Sequence, residues 1–399
     1  MIHLRPGSSP YYDQTLIYRD AASPRAPGSV VLSRPSSFRE DYQLQIAYRK
    51  YVTTRRIPHN AKRINFLFLH GNGMNKGIWH YQIHKLFAMY EISFPDMYID
   101  TIIAADHVNM GDSAYVNRGK LGHVSDWNDF AKDYIMLTKI HEKDTFLHPN
   151  AFNVIVGHSM GGFLAIQITA SEPNLFQSSI LINPVCVDVS PEALPMFNQI
   201  YKNWYDQGFV KFYFDNLDKH QNWYHEIYEH YTKRSFYKNF DPIVLRNMLE
   251  DEIPCTYDRQ KHYSTVELKH NGLEDFINYF HSNVSIESTR SSYKQVKVPT
   301  KILCGDKDTL AELIKNNING DLKFGRLQIL ENQYHNMHAE SPELIMSLVN
   351  DFVLESYRNH PKLNDFEYSK KYGKDYKEKL RKDALKGFLD NERVIPSKL

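Results

Sequence analysis

The chain has 399 residues, 42% hydrophobic and 13% aromatic, enough apolar side chain for one large buried core or two ordinary ones. Lys plus Arg (48) almost balances Asp plus Glu (47), and the net charge of +1 gives no electrostatic footprint for nucleic acid. Cys186, Cys255 and Cys304 are too few and too far apart for a disulfide framework or a cysteine-built zinc site. No apolar run approaches the ~20 residues of a membrane-spanning helix, and Met1 to Gly7 lack the basic start of a secretory signal. A soluble intracellular protein is expected.

Residues 1–40 are punctuated by Pro and Ser and read as an irregular N-terminal extension. Tyr42, Leu44, Ile46 and Tyr48 then fall on every second position, the period of a half-buried strand at a sheet edge. After them the pattern changes to short continuous apolar runs, each cut off by polar or turn residues. The run 66–69 stops at His70-Gly71-Asn72-Gly73, 99–105 at Asp106, and 153–156 at Gly157. The run 180–182 stops at Asn183-Pro184 and 301–304 at Gly305, with 327–330 beyond. Helical patterns cover 78–88, 127–140, 161–170 and 342–354.

Such alternation predicts a mostly parallel central sheet with helices on both faces. Ligands of such sheets bind at the carboxyl ends of the strands, where His70, Asp106, Ser159 and Asp308 fall. The alternation is interrupted over 185–298, a stretch crowded with aromatics such as Trp204, Tyr205, Phe212, Tyr213 and Trp223. It reads as a helical cap, most of its aromatics packing its own core and a few lining an apolar acyl pocket. The core is thus expected at 41–184 and 299–358, with a polar tail at 359–399 in which 379–388 forms a short surface helix.

Gly157-His158-Ser159-Met160-Gly161 carries the pattern G-x-S-x-G between a strand and a helix. That setting turns a serine sharply enough to hold its Oγ clear of the backbone. A serine hydroxyl attacks only when a base takes its proton, and among nineteen histidines His335 lies on the loop after the last strand run, at the same sheet edge. His338 is its local competitor, read as a packing histidine. The acid that orients the base falls in Gly305-Asp306-Lys307-Asp308. Asp308 is preferred because the loop carries it towards the histidine, with Asp306 as the alternative. The amides of Asn72 and Met160 are assigned by position to an oxyanion hole. Gly71, Gly73, Lys76 and Gly77 cluster as in a phosphate loop, but the G-K-[ST] ending is missing. No H-E-x-x-H or zinc-finger spacing appears, so no metal is expected.

These residues resemble those of the α/β-hydrolases, with a cap inserted before the penultimate strand and the triad in the order Ser159, Asp308, His335. More narrowly, the chain resembles the fungal peroxisomal matrix lipases. The segments that carry the likeness are 65–74, 107–114 (His107-Val108-Asn109-Met110-Gly111-Asp112-Ser113-Ala114), 117–122 and 156–163, and His335 followed by Glu340 and Pro342 fits the last motif of the wider fold. The likeness spans roughly 61–184 and 299–355. It implies lipase or carboxylesterase activity, extending to triacylglycerols or phospholipids, without a cofactor. An acyl-ester lipid is then the substrate. Two other enzymes would use the same triad, an acyl-CoA thioesterase and a carbon–carbon bond hydrolase; a catalytically silent interaction protein is the non-enzyme alternative. Epoxide hydrolases and dehalogenases of this fold need an aspartate where Ser159 stands. The sequence ends Ser397-Lys398-Leu399, a tripeptide read by the peroxisomal import receptor, which places the expected protein in the peroxisomal matrix.

Overall fold

The apolar runs form the middle of one eight-stranded sheet in the order β1-β2-β4-β3-β5-β6-β7-β8. The strands are β1 (Tyr12–Asp20), β2 (Gln45–Thr53), β3 (Arg63–Leu69), β4 (Tyr98–Ala105), β5 (Ala151–His158), β6 (Ser178–Ile182), β7 (Thr300–Gly305) and β8 (Gly325–Leu330). This computed structural model describes residues 9–32, 34, 36–187, 195, 199, 202, 223–233, 236–252, 268–269 and 272–360. The sheet, its helices and the site belong to a compact unit that ends at Ser356.

From β4 to β8 every neighbouring pair is parallel. β3 and β5 are apolar on both faces because helices cover both, and Phe66, Leu67, Phe68, Val154, Ile155 and Val156 are fully buried. Each such side chain contributes about 1.5–3 kcal/mol over leaving it in water. Around the sheet run α1 (His80–Ser93), α2 (Gly111–Val116), α3 (Trp127–Met136), α4 (Lys143–Phe146) and α5 (Met160–Ser171). After the sixth strand come α6 (Trp223–Lys233), α7 (Pro242–Glu252), α8 (Gly272–Phe280) and α9 (Ser282–Thr289). The last three are α10 (Ala311–Asp321), α11 (Met337–Glu340) and α12 (Pro342–Asn359).

Register decides where the functional loops meet. Leu69 pairs with Gly157, His158 with Ile182, Ile182 with Leu303, and Gly305 with Leu330. The parallel strands therefore end level, and the loops that begin at His70, Ser159, Asn183, Asp306 and Glu331 leave the sheet along one edge.

Two expectations for the N-terminal part are corrected. Residues 1–40 contain β1, nine residues paired antiparallel with β2 from Tyr12↔Thr53 to Asp20↔Gln45. As an outer strand with most side chains half-buried or exposed, it is held chiefly by its hydrogen-bond ladder and shows no clear apolar period. β2 is consequently not an edge strand, since β1 covers its outer side and β4 pairs antiparallel on the other. The irregular stretch that follows β1 is tied down by carboxylates of α3: Asp133 accepts from the Ala22 N–H and pairs with Arg25, and Asp129 accepts from the Ala26 N–H, each at 2.7 Å.

The segment between β6 and β7 supplies α6 to α9. α7 packs on α1 and on the 3-10 turn Lys76–Trp79. Tyr231 and Tyr237 are buried with ring centroids 4.9 Å apart. Most of the aromatics expected to form a cap core or acyl pocket, Trp204, Tyr205, Phe212 and Tyr213 among them, lie outside the described residues, as do 379–388 and Ser397-Lys398-Leu399. No helix among the described residues is long and apolar enough to cross a membrane.

Candidate active site

Ser159 occupies the turn between β5 and α5 with φ +55° and ψ −118°, a conformation costly for a residue with a Cβ. The surroundings hold it there. Its N–H donates to the Ile182 carbonyl at 3.0 Å, and its own carbonyl accepts from Gly162 at 2.9 Å and Val185 at 3.1 Å. The turn closes only because its flanking residues lack side chains. A Cβ on Gly157 would lie 2.1 Å from the Gly161 carbonyl oxygen, and one on Gly161 2.3 Å from that of Leu69.

The structure brings His335 and Asp308 to this serine. His335 Nε2 lies 3.0 Å from Ser159 Oγ, and Nδ1 lies 2.8 Å from Asp308 Oδ2. A carboxylate can only accept, so Nδ1 carries the proton and Nε2 is left as the acceptor facing the hydroxyl. The Asp308 side chain is fully buried, and its second oxygen accepts from the Leu310 N–H at 2.9 Å. Asp306, the alternative acid, faces Lys307 at 3.8 Å instead. Burial pulls the His335 pKa down, but the charge and hydrogen bond of Asp308, with Glu340 beyond, outweigh it and hold the pKa above its ordinary value. His338 behaves as a packing residue, its ring centroid 3.8 Å from that of His158 and 4.8 Å from that of Trp79, tilted against both. Burial first, and His335 second, push its pKa down to about 3, so it stays neutral.

Two residues that sequence reasoning passed over place His335. Its carbonyl accepts from Asn183 Nδ2 at 2.8 Å and from His158 Nε2 at 2.9 Å. Asn183 also donates to the Tyr334 carbonyl at 2.9 Å, and its Oδ1 accepts from the Gly305 N–H at 2.9 Å. One side chain thus ties the exits of β6 and β7 to the histidine loop. The available signal was its position at a strand end, where Asn183-Pro184 reads merely as a stop.

Asn72 and Met160, the residues assigned to an oxyanion hole, lie on the loop after β3 and at the start of α5. Met160 is the first residue of α5, where an N–H has no preceding turn to bond. Among the described residues the Asn72 N–H donates to no acceptor. The backbone before Asn72 passes so close to the elbow that a Cβ on Gly71 would sit 2.7 Å from His158 Nδ1 and 3.0 Å from Ser159 Cβ. His107 props this loop from behind: its Nε2 donates to the His70 carbonyl at 3.0 Å while Nδ1 accepts from Tyr134 at 2.6 Å. Burial lowers the His107 pKa to about 4, which keeps it in this neutral, two-partner state.

Lys76, weighed against a phosphate loop, is fully buried, with its ammonium 2.9 Å from Asp106 and in contact with Asp112. Burial alone would discharge it, but Asp106, Asp112 and Asp251 together keep it cationic. Asp106 is accordingly a structural counter-ion.

A parallel sheet with a strained serine turn, a histidine loop after the last strand and an acid after the penultimate one is the architecture of an α/β-hydrolase. Residues 101–342 match the family described as serine aminopeptidase, S33, and the chain belongs to this family of α/β-hydrolases. It is 29% identical to the peroxisomal membrane protein LPX1 of Saccharomyces cerevisiae over 84% of this chain and 86% of that one. The crystal structure of that yeast peroxisomal alpha-beta-hydrolase superposes with a TM-score of 0.71 at 24% identity, covering 96% of this chain and 99% of the other. Human monoglyceride lipase is 24% identical over 63% of this chain and 71% of its own. A type I acyl-CoA thioesterase of Penicillium brevicompactum, mpaH', is 28% identical over 42% of this chain and 37% of its own.

Proposed function

We propose that the protein is a peroxisomal serine hydrolase that cleaves acyl esters, a lipase or carboxylesterase acting through an acyl-enzyme. The observation that carries this reading is the unbroken line of hydrogen bonds from Asp308 through His335 to Ser159 Oγ on a strained turn. Ser159 Oγ attacks the ester carbonyl while His335 Nε2 takes its proton. The oxygen that becomes an anion is held by the main-chain N–H groups of Asn72 and Met160. Collapse breaks the ester C–O bond, His335 returns the proton to the departing alcohol, and the acyl group stays on Oγ. Water, deprotonated by the same histidine, then releases the acid. Asp308 holds the imidazole in the tautomer both steps need. The likeness to monoglyceride lipase supports an acyl glycerol or a related lipid ester as substrate.

The likeness to mpaH' keeps a second reading in view, hydrolysis of acyl-CoA thioesters by the same three side chains. Purified wild type and Ser159→Ala are compared on short- to long-chain acyl esters and acyl-CoAs. Ester hydrolysis in the wild type, reduced by at least about a thousandfold in the variant, is expected. A preference for acyl-CoA moves the assignment to thioesterase, and no turnover of either by a folded protein contradicts it.

Peroxisomal residence is supported by the name of the yeast relative and by the tripeptide Ser397-Lys398-Leu399, of the kind a peroxisomal import receptor reads. A fluorescent protein fused ahead of Met1 should mark peroxisomes and become cytosolic when these three residues are replaced by alanine. Uniform fluorescence from the unaltered fusion contradicts the assignment.

A further inference from the structure

We infer that Asn278 on α8, assisted by Tyr237, positions the Asn72 N–H towards the reacting carbonyl, so that the segment inserted between β6 and β7 is a working part of the oxyanion hole. This rests on the reading of Ser159 as nucleophile.

Asn72 stands between Gly71 and Gly73, and Gly73 has φ +74°. A peptide flanked by two glycines rotates easily, and its local hold is the His70 Nδ1 bond to the Gly71 carbonyl, the other end of the same planar peptide, at 2.8 Å. The Asn72 side chain supplies a second anchor, and both ends of that side chain are bound by α8. Asn72 Nδ2 donates to the Asp275 carbonyl at 2.8 Å, and Oδ1 accepts from Asn278 Nδ2 at 2.8 Å. The carbonyl of Gly73, one residue on, accepts from the Tyr237 hydroxyl at 2.6 Å.

Asn278 is itself immobilised from the core side. Its Oδ1 accepts from Asn109 Nδ2 at 2.8 Å and from the Ser125 hydroxyl, and its carbonyl accepts from Trp127 Nε1 at 3.2 Å. Asn72 is 3% exposed and Asn278 0%, so water does not compete for these bonds. A buried polar ladder from α3 and the 107–114 segment through α8 to the turn beside Ser159 is costly as packing alone. It is well suited to holding one donor in one direction. The consequence is that a displaced α8 leaves the serine and histidine in place but loosens the oxyanion hole.

The test begins with labelling of the wild type by a fluorophosphonate. An unreactive Ser159 overturns the nucleophile reading and this inference with it. With Ser159 reactive, kcat and KM on an acyl ester, and Ki for an alkylboronic acid that mimics the tetrahedral intermediate, are measured for Asn278→Ala, Asn72→Ala and the double variant. Each single variant should lower kcat about 10- to 100-fold, less than the roughly 100- to 1,000-fold cost of losing an oxyanion donor outright, with KM changed by less than about threefold. The boronate Ki should rise in step, and the double variant should be no worse than the weaker single one. Wild-type kcat in Asn278→Ala, a loss confined to KM, or multiplied losses in the double variant each overturn the inference. If Asn278→Ala fails to fold, Tyr237→Phe removes one hydroxyl from the same turn. A lower kcat at unchanged KM supports the inference there, and unchanged kcat and Ki overturn it.

Discussion

His335 sits between a burial that discharges it and an aspartate that charges it, and the aspartate wins. The sign has two consequences. For stability, a histidine whose folded pKa is raised stabilises the native state below its unfolded pKa of about 6.5 and loses that contribution as pH rises through the folded value. For activity the direction is opposite, because only neutral imidazole accepts the Ser159 proton, so acylation slows as pH falls through the raised pKa. His158 and His338 do not compete for this role, since burial lowers both far below the pH at which His335 changes charge. At this scale Ser159, His335 and Asp308 were legible because each is announced by a strand end and a loop. Asn183, His107 and Asn278 were not, because a buried amide or imidazole that bonds a distant element leaves no local pattern.

Among the elements, the inserted segment is joined to the core by charge as well as by amides. Asp251 of α7 pairs with Arg49 of β2 and lies 3.7 Å from Lys76, while Lys269 meets Asp112 at 2.7 Å. Arg49, Lys76 and Lys269 thus face Asp106, Asp112 and Asp251, three charges against three, in a site where single partners cannot be removed cheaply. Lys76→Met would leave Asp106 and Asp112 buried without their main counter-ion, a loss of about 3–5 kcal/mol. Chemical denaturation of the variant should show this as a lower midpoint at unchanged slope, whereas a wild-type midpoint would mean that Lys76 is not the charge that holds this corner. The sequence signalled none of this. Lys76 beside glycines is excluded as a phosphate loop for want of the G-K-[ST] ending, and only the fold shows its ammonium already occupied. The continuous runs of β3, β5, β6 and β7 were legible because strands covered on both faces are apolar throughout. β1 was not, because an exposed outer strand lacks that constraint.

For the whole molecule, the level ends of the parallel strands turn sequence into a site. Ser159, Asp308 and His335 are separated by 149 and 27 positions, yet the register Gly157↔Leu181, Leu181↔Ile302 and Gly305↔Leu330 delivers all three to one edge. That order of elements was readable from the alternation of runs and helices. The insertion reads as a helical cap, but its docking was not legible, since nothing in its aromatic composition tells which faces meet the core. The central claim is that this edge activates Ser159, and the most direct measurement is the pH dependence of fluorophosphonate labelling, with the modified residue located by peptide mass spectrometry. The account predicts a single label on Ser159, whose rate falls about tenfold per pH unit below a midpoint higher than 6.5. A folded protein that takes no label, takes it elsewhere, or reacts at a rate indifferent to pH would contradict it.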